Sequence, residues 1–278
     1  MPELPEVETI RRGLSIALEG KRIDRVDVRR RDLRIPVPDD FESNIEGSRA
    51  ERLARRGKYL LIVLDSGRVL IVHLGMSGRM IIEPAQRRSN VERLHEHVVF
   101  ELGDGTRIRF SDPRRFGLMA LAELDMIDTH PFFLDMGPEP LSDQFNGAAL
   151  YAALREKRTP IKSALLDQHV VAGLGNIYVC EALYRAGISP RRLAMNVGYA
   201  RVEKLVAAIR AVLLEAIEAG GSTLKDYIRA DGELGYFQHR FAVYDRAGEP
   251  CPECDCTVGV AHIVQSNRST YYCAKRQR

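Results

Sequence analysis

The sequence lacks any long apolar run. No stretch approaches the roughly 20 apolar residues that a membrane-spanning helix needs, although 45% of the 278 residues are hydrophobic and 28% are charged. The first residues, MPELPEVETIRRGL, also lack the basic and then apolar layout of a secretory signal. We therefore expect a globular protein of the cytosol, without a membrane role and long enough for two modest domains.

A strong excess of charge of one sign is also missing. Lysine and arginine number 41 against 38 acidic residues, which gives a formal net charge of +3. Binding of a polyanion therefore cannot be inferred from the total and has to depend on local basic clusters. Such clusters occur at residues 29–31, 52–58 and 268–278. Each cluster, taken alone, is more often a solvated surface than a nucleic-acid site.

Cysteine is scarce, and four of the five cysteines fall between residues 251 and 273. In a reducing compartment this clustering points to a metal rather than to disulfides. Zinc takes four tetrahedral ligands, and two successive C-x2-C pairs supply four thiolates. Cys251 and Cys254 form one such pair. The second pair is incomplete, because Arg276 stands where Cys273 would need its partner.

The incomplete pair leaves the metal content open. Three thiolates are the predicted zinc ligands: Cys251, Cys254 and Cys273. A water, Cys256 or His262 would then complete the site, although Cys256 comes only two residues after Cys254 and is expected to strain the knuckle. The alternative is a zinc-free hairpin in which Arg276 neutralises the thiolates or pairs elsewhere.

Hydrophobic periodicity divides the chain into a β-rich part and a helical part. Apolar residues at helical spacing predict a first helix over 2–18. Strand-like runs joined by glycine turns predict two antiparallel hairpins, 59–64 with 69–74 and 98–102 with 108–110. A proline-rich segment without periodicity, 130–140, predicts a linker. Helices are then predicted over 142–156, 160–166, 176–186 and 197–219, with short strand-like pieces, VYD and TYY, around the cysteines.

Pro2 and Glu3 admit two interpretations. In the structural one, proline suits the first turn of a helix and acidic residues complement the helix dipole. In the functional one, Met1 is removed and Pro2 presents a free secondary amine. An α-amino group titrates near pH 8, well below lysine, so it is partly unprotonated at neutral pH and can attack a carbon. The resulting iminium ion is an electron sink, and Glu3 stands next to it as a proton donor and acceptor.

The opening MPELPEVETIRRGL resembles the signature start of the formamidopyrimidine-DNA glycosylases, and the likeness continues through the chain to YYCAKRQR. In that family the mature N-terminal proline is the nucleophile and the adjacent glutamate is the acid, which implies these roles for Pro2 and Glu3. Glu6 matches a supporting carboxylate. Lys58, in GKYL, matches a lysine that contacts the phosphates flanking the lesion, and we place it with the catalytic group.

Other segments carry DNA-binding roles by the same resemblance. Turns in HLGMSGR and SDPRRFG expose apolar side chains, and an enzyme that everts a nucleotide needs wedges and a hydrogen-bonding group for the orphaned base. The resemblance gives these roles to Met76, Phe116 and Arg114. The remaining matches are His95 near a phosphate, Lys162 beside the lesion, Asn176 on a phosphate, Lys225 near the everted base and Arg268 on the DNA backbone.

His95 and His97 also invite a metal interpretation. They lie two residues apart in a strand-like run, so both are expected on the same face. Two histidines without a third ligand are usually not a metal site, and the phosphate role of His95 is preferred.

The resemblance implies an α+β fold in which an N-terminal β-sandwich with an N-terminal helix precedes a helical helix-two-turn-helix domain and a zinc-finger-like β-hairpin. The implied boundaries are 1–132 for the catalytic sandwich, 133–147 for a linker, 148–240 for the DNA-binding helices and 241–278 for the hairpin. Zinc, if bound, is structural and takes no part in the chemistry.

The implied activity is that of a bifunctional DNA glycosylase and AP lyase. The enzyme is expected to be a monomer and to act at the nucleoid in the bacterial cytosol. It would excise 8-oxoguanine or formamidopyrimidines from duplex DNA and cleave the strand by β,δ-elimination. An endonuclease VIII-like enzyme for oxidised pyrimidines is an alternative, disfavoured by the ELPEVET start and by Phe116. A DNA-binding homologue that has lost activity is another, suggested by Arg276.

Overall fold

The computed structural model describes residues 2–87, 94–222 and 235–278. The chain divides into two compact units. The first comprises Met1–Leu134 with Ala219–Tyr236, and the second comprises Asp135–Glu218 with Phe237–Arg278. Within the described ranges, no helix combines the length and the apolar character that crossing a membrane requires.

The first unit is a β-sandwich preceded by a helix, α1 (Leu4–Leu18). The strands that follow in its described part are β1 (Ile23–Val28), β2 (Ala50–Arg56), β3 (Tyr59–Leu64), β4 (Arg68–His73), β5 (Arg79–Glu83), β6 (Glu96–Leu102), β7 (Arg107–Ser111) and β8 (Leu118–Glu123). One sheet has the order β1-β6-β7-β5 and the other β2-β3-β4-β8. Neighbouring strands pair antiparallel in both sheets.

An apolar core joins the two sheets and α1. Ile62 and Val72 of one sheet lie in the same buried cluster as Phe100 of the other. The apolar face predicted for the first helix is buried in this cluster through Val7, Ile10, Leu14 and Leu18. The two predicted hairpins are confirmed as β3-β4 and β6-β7. Burial of this shared core fixes the turns at the strand ends, where the site residues lie.

The second unit is helical and ends in a hairpin. Its helices are α2 (Gly147–Leu154), α3 (Ile161–Leu166), α4 (Asn176–Arg185) and α5 (Tyr199–Glu218), and its strands are β9 (Ala261–Gln265) and β10 (Arg268–Tyr272). Helix α2 begins later than predicted because the Oδ1 of Asn146 accepts the N–H of Ala149 at 3.0 Å and caps the helix there. A two-residue turn with positive φ at Ser266 and Asn267 joins the strands.

The strand predicted for VYD is wrong, because residues 243–245 form a bend and turn. The backbone N–H groups of Ala242, Val243 and Tyr244 donate to the carboxylate of Glu181 at 2.8–3.0 Å. Glu181 is fully buried on α4. The backbone N–H groups that would pair with a neighbouring strand are thus bonded to the carboxylate of Glu181, and the segment bends around this side chain.

Candidate active site and nucleic-acid interface

The N-terminus of α1 holds two buried carboxylates close together. Glu3 is the N-cap of the helix and Glu6 its third residue, and each carboxylate accepts the backbone N–H of the other residue in a capping box. The Glu6 bond to the N–H of Glu3 is 2.8 Å long. Pro2 is buried and precedes the cap, whereas Pro5 occupies the first turn. The structural interpretation of Pro2 as a first-turn proline is therefore wrong.

Glu6 is also bound on its other oxygen. Its Oε1 accepts the N–H of Ser222 at 2.8 Å and the hydroxyl of Ser222 at 3.0 Å. Both residues belong to the first unit and both are buried. With both oxygens engaged, Glu6 holds the backbone of Glu3 in place, which suits a supporting carboxylate better than a proton carrier.

Lys58 lies at the turn between β2 and β3, near a histidine to which the sequence analysis gave no role. Burial, and then the positive charges of Lys58 and Arg34, lower the pKa of His73 to about 4. His73 is therefore neutral at pH 7, and its Nδ1 accepts the N–H of Gly75 at 2.9 Å. The signal in the sequence was its position directly before the glycine turn that carries Met76.

Met76 and Phe116 lie on two turns and expose 36% and 44% of their surface, as predicted from those turns. The guanidinium of Arg114 lies 4.7 Å from the centroid of the Phe116 ring, in a cation-π contact. Two exposed apolar side chains and a cation thus occupy neighbouring turns. This combination is what insertion into a base stack requires.

Asp112, which the sequence analysis did not single out, binds the two turns together. Its fully buried carboxylate accepts the hydroxyl of Ser77 at 2.5 Å and the N–H of Gly117 at 2.8 Å. Ser77 follows Met76, and Gly117 follows Phe116. An aspartate before proline at the start of a turn was the available signal, because such carboxylates often accept backbone N–H groups two or more residues ahead.

The turns also touch directly at Gly75. This residue has φ +61°, and a Cβ built on it would lie 2.3 Å from the carbonyl carbon of Phe116. Only glycine combines that backbone conformation with so close an approach. The spacing between Met76 and Phe116 thus depends on the missing side chain at position 75.

We expect Gly75→Ala to lower the free energy of unfolding by about 2–6 kcal/mol, because backbone strain and overpacking each cost about 1–3 kcal/mol. Gly67→Ala is the matched control, since Gly67 has φ +81° but no atom within 4 Å of a built Cβ. Gly67→Ala therefore introduces the backbone strain without the overpacking. Chemical denaturation measures both variants, and equal losses would show that the contact with Phe116 contributes nothing.

The expectation that His95 and His97 share a face is wrong. His95 has φ +67° and is exposed at the turn before β6, which changes the direction of the chain. His97 is buried, and its Nε2 lies 2.8 Å from the carbonyl oxygen of Asp112. His97 is therefore part of the support of the turns, while His95 is open to a ligand.

In the second unit, two residues predicted to contact DNA meet at one carbonyl oxygen. Lys162 is fully buried, and its Nζ donates to the carbonyl of Ser269 at 2.9 Å. Asn176, the first residue of α4, donates from Nδ2 to the same oxygen at 2.9 Å. Arg268, the residue before that carbonyl, is exposed at the start of β10.

The C-terminal cysteines form one cluster. The Sγ atoms of four residues lie within 4.8 Å of one another: Cys251, Cys254, Cys256 and Cys273. A regular tetrahedron of zinc-sulfur bonds of about 2.3 Å has edges of about 3.8 Å. The Sγ of Cys273 lies 3.5 Å from that of Cys254 and 3.6 Å from that of Cys256. The objection that Cys256 is too near in sequence is therefore wrong, and four sulfurs, not three, fit the size of a metal site.

Arg276 has partners of its own beside this cluster. Its guanidinium pairs with Glu253 at 2.5 Å and lies 4.9 Å from the centroid of the Tyr184 ring on α4. The hydroxyl of Tyr184 in turn contacts the Sγ of Cys251 at 3.2 Å. Arg276 thus pairs with an acidic residue, Glu253, as one of the possibilities raised by the sequence has it.

Two family models match the chain: the formamidopyrimidine-DNA glycosylase N-terminal domain over residues 1–119 and the formamidopyrimidine-DNA glycosylase H2TH domain over residues 136–227. The chain belongs to the formamidopyrimidine-DNA glycosylase family. The glycosylase of that name from Ruegeria pomeroyi is 56% identical over 283 residues, which covers 100% of both chains.

Solved structures of formamidopyrimidine-DNA glycosylases have the same fold. The MutM (FPG) protein from Thermus thermophilus is 40% identical with a TM-score of 0.86, over 99% of this chain and 98% of that one. The wild-type Fpg of Lactococcus lactis, in complex with a N7-benzyl-Fapy-dG containing DNA, is 30% identical with a TM-score of 0.91 over 100% of both chains. Within this glycosylase fold, Lys225 lies outside the described residues, and its place near an everted base stays a prediction.

Proposed function

We propose that Pro2, freed by removal of Met1, is the nucleophile with which this glycosylase releases an oxidised purine from duplex DNA and then cuts the strand. The observation that carries the proposal is the buried Pro2-Glu3 pair at the head of α1, outside the first helical turn. Glycosylases that match the full length of the chain, and a neighbour bound to DNA with a formamidopyrimidine lesion, support the substrate class.

The chemistry follows from a secondary amine beside a carboxyl group. The Pro2 nitrogen attacks C1′ of the everted nucleotide, the bond from C1′ to the base breaks, and the base leaves with the electron pair and takes up the proton that the amine loses. Glu3 protonates the ring oxygen as the sugar opens to an iminium ion. The iminium then accepts electrons during successive β and δ eliminations, which release the two phosphates. Glu6 keeps Glu3 in register through the capping box.

Duplex binding is divided among groups with different tasks. Met76 and Phe116 fill the space left by the everted nucleotide, and Arg114 hydrogen-bonds the orphaned base. Four further predicted contacts are made to the DNA backbone, where they fix position without reading sequence. Their donors are Lys58, His95, Asn176 and Arg268. A monomer is enough for this function, since the proposed catalytic and binding groups all belong to one chain, and the proposed substrate places the enzyme at the nucleoid DNA of the bacterial cytosol.

Zinc is the metal that the four-cysteine cluster suits. Four thiolates at tetrahedral spacing are a closed structural set, without an open position for substrate. A zinc ion there would tie the segment at Cys251 to the end of β10 and so stabilise the hairpin that carries Arg268. It has no part in the sugar chemistry.

The test is borohydride trapping on matched duplexes. With 8-oxoguanine opposite cytosine, we expect a reduced covalent adduct whose attachment maps to Pro2 by peptide mass spectrometry. A thymine glycol duplex should give less adduct, because the family resemblance points to purines. A complex that forms on lesion DNA but never becomes covalent would support the inactive homologue, and preference for thymine glycol would support the endonuclease VIII-like alternative.

A further inference from the structure

The carbonyl oxygen of Ser269 accepts hydrogen bonds from two side chains of the helical part. The Nζ of Lys162 and the Nδ2 of Asn176 each lie 2.9 Å away. Lys162 makes a second bond to the same strand, to the Oγ1 of Thr270 at 2.6 Å. Both Lys162 and Thr270 are fully buried. A charged donor on the carbonyl of Ser269 and the buried hydroxyl of Thr270 fixes the backbone at that point more firmly than a neutral donor does.

This point lies directly beside the proposed DNA contact of the hairpin. Arg268 precedes Ser269 and follows a two-residue turn, and its own side chain is exposed. The hydroxyls of Ser163 on α3 and Ser266 in the turn lie 3.3 Å apart, a second link between the same two elements. Helix α3 therefore contacts the hairpin on both sides of Arg268. These contacts fix the backbone from which the side chain of Arg268 extends.

Asn176 is bound less completely than Lys162. Its Oδ1 is buried and has no hydrogen-bond partner among the described residues. Its Nδ2 shares its two hydrogens between Ser269 and the hydroxyl of Tyr244, the latter at a long 3.4 Å. A phosphate cannot satisfy this oxygen, because both are acceptors, but its charge makes it a stronger acceptor for Nδ2 than the neutral carbonyl of Ser269 or the hydroxyl of Tyr244.

We propose that Lys162 is a positioning residue for Arg268 and does not itself touch DNA, and that it holds the Ser269 carbonyl when Asn176 leaves it for a phosphate. Two donors on one oxygen make this exchange possible, because the carbonyl of Ser269 keeps one donor when the other departs. The inference rests on the proposed function, in which Asn176 and Arg268 bind phosphates. It replaces the predicted place of Lys162 beside the lesion by an indirect role.

The test is a double-mutant cycle read by DNA affinity and by its salt dependence. The ligand is a duplex with a reduced abasic site, which the enzyme cannot process. Arg268→Ala should weaken binding about tenfold, as expected for one charged hydrogen bond, and reduce the slope of log K against log salt by about one. Lys162→Met should weaken binding in the wild-type background. In the Arg268→Ala background it should weaken binding less than in the wild-type background, through Asn176 alone, and should leave the slope unchanged.

Additive losses, with a further fall in slope by about one, would show that Lys162 meets a phosphate directly and would overturn the proposal. Lys204→Met, at an exposed position on α5, controls for the loss of one positive charge. Thr270→Val removes an acceptor and keeps the lysine, so it carries the same test if Lys162→Met does not fold. Absence of lesion binding by the wild-type chain would instead refute the proposed function, which keeps the two failures distinguishable.

Discussion

A chain that keeps one extra residue ahead of Pro2 is expected to release oxidised purines on the order of 10⁶-fold more slowly than the processed chain, as when the nucleophile of another covalent enzyme is removed. The extra residue turns the Pro2 nitrogen into an amide, whose lone pair is delocalised into the carbonyl and cannot attack C1′. Single-turnover base release and borohydride trapping measure the effect on the same 8-oxoguanine duplex.

The control is the same protein before and after a cut. A leader that a protease removes directly ahead of Pro2 blocks the amine, and cleavage frees it without any change in the folded sequence. Binding to a reduced abasic duplex is measured with the uncut and the cut protein, to show whether the leader blocks access to DNA. If the uncut protein binds this duplex but forms no adduct, the leader prevents the chemical step and not DNA binding. A reducible adduct that forms in full before cleavage would assign the nucleophile to another amine, such as that of Lys58.

Several elements of the fold could be predicted from local patterns in the sequence. The apolar face of α1 and the hairpins β3-β4 and β6-β7 follow from periodicity over a few residues. The same holds for the exposure of Met76 and Phe116, which glycine turns make necessary. In each case the residues that determine the structure are neighbours in the chain.

What the sequence did not predict depends on partners far apart in the chain. Asp112 joins two turns through Ser77, and Glu181 curls a segment more than fifty residues away that local propensity assigned to a strand. The burial of Lys162 depends on a hairpin more than one hundred residues later. No local pattern marks such side chains, because their hydrogen-bond partners are brought to them only by the fold.

Cys256 is the sharpest case, since its position in the sequence was a reason against it. Its spacing from Cys254 differs from the usual knuckle, yet its Sγ lies in the cluster. Sequence spacing gives only the number of residues between two cysteines, whereas a metal site depends on the positions of the sulfur atoms in space. Arg276, at the position expected for a ligand, instead stacks on Tyr184.

Zinc binding by this chain is therefore expected to depend on Cys256 as the fourth ligand. A cysteine at position 276 should be able to take over that role. Cys256→Ser should weaken zinc binding by about 100-fold or more, since even partners that only orient a ligand account for 10- to 100-fold. The hairpin should loosen with it, because metal binding and folding are coupled in such modules. Adding Arg276→Cys to that variant restores a C-x2-C pair and should recover the zinc, whereas adding Lys275→Cys should not.

Native mass spectrometry gives the zinc stoichiometry, and the intensity of the sulfur-to-metal charge-transfer band after cobalt substitution follows the number of thiolates. The expected order is four thiolates in the wild type, three in Cys256→Ser and four in the double variant. Undiminished zinc affinity and an unchanged cobalt spectrum in Cys256→Ser would mean that Cys251, Cys254 and Cys273 hold the metal without it. Cys256 would then not replace the cysteine that is missing at position 276, and the site would have three sulfur ligands.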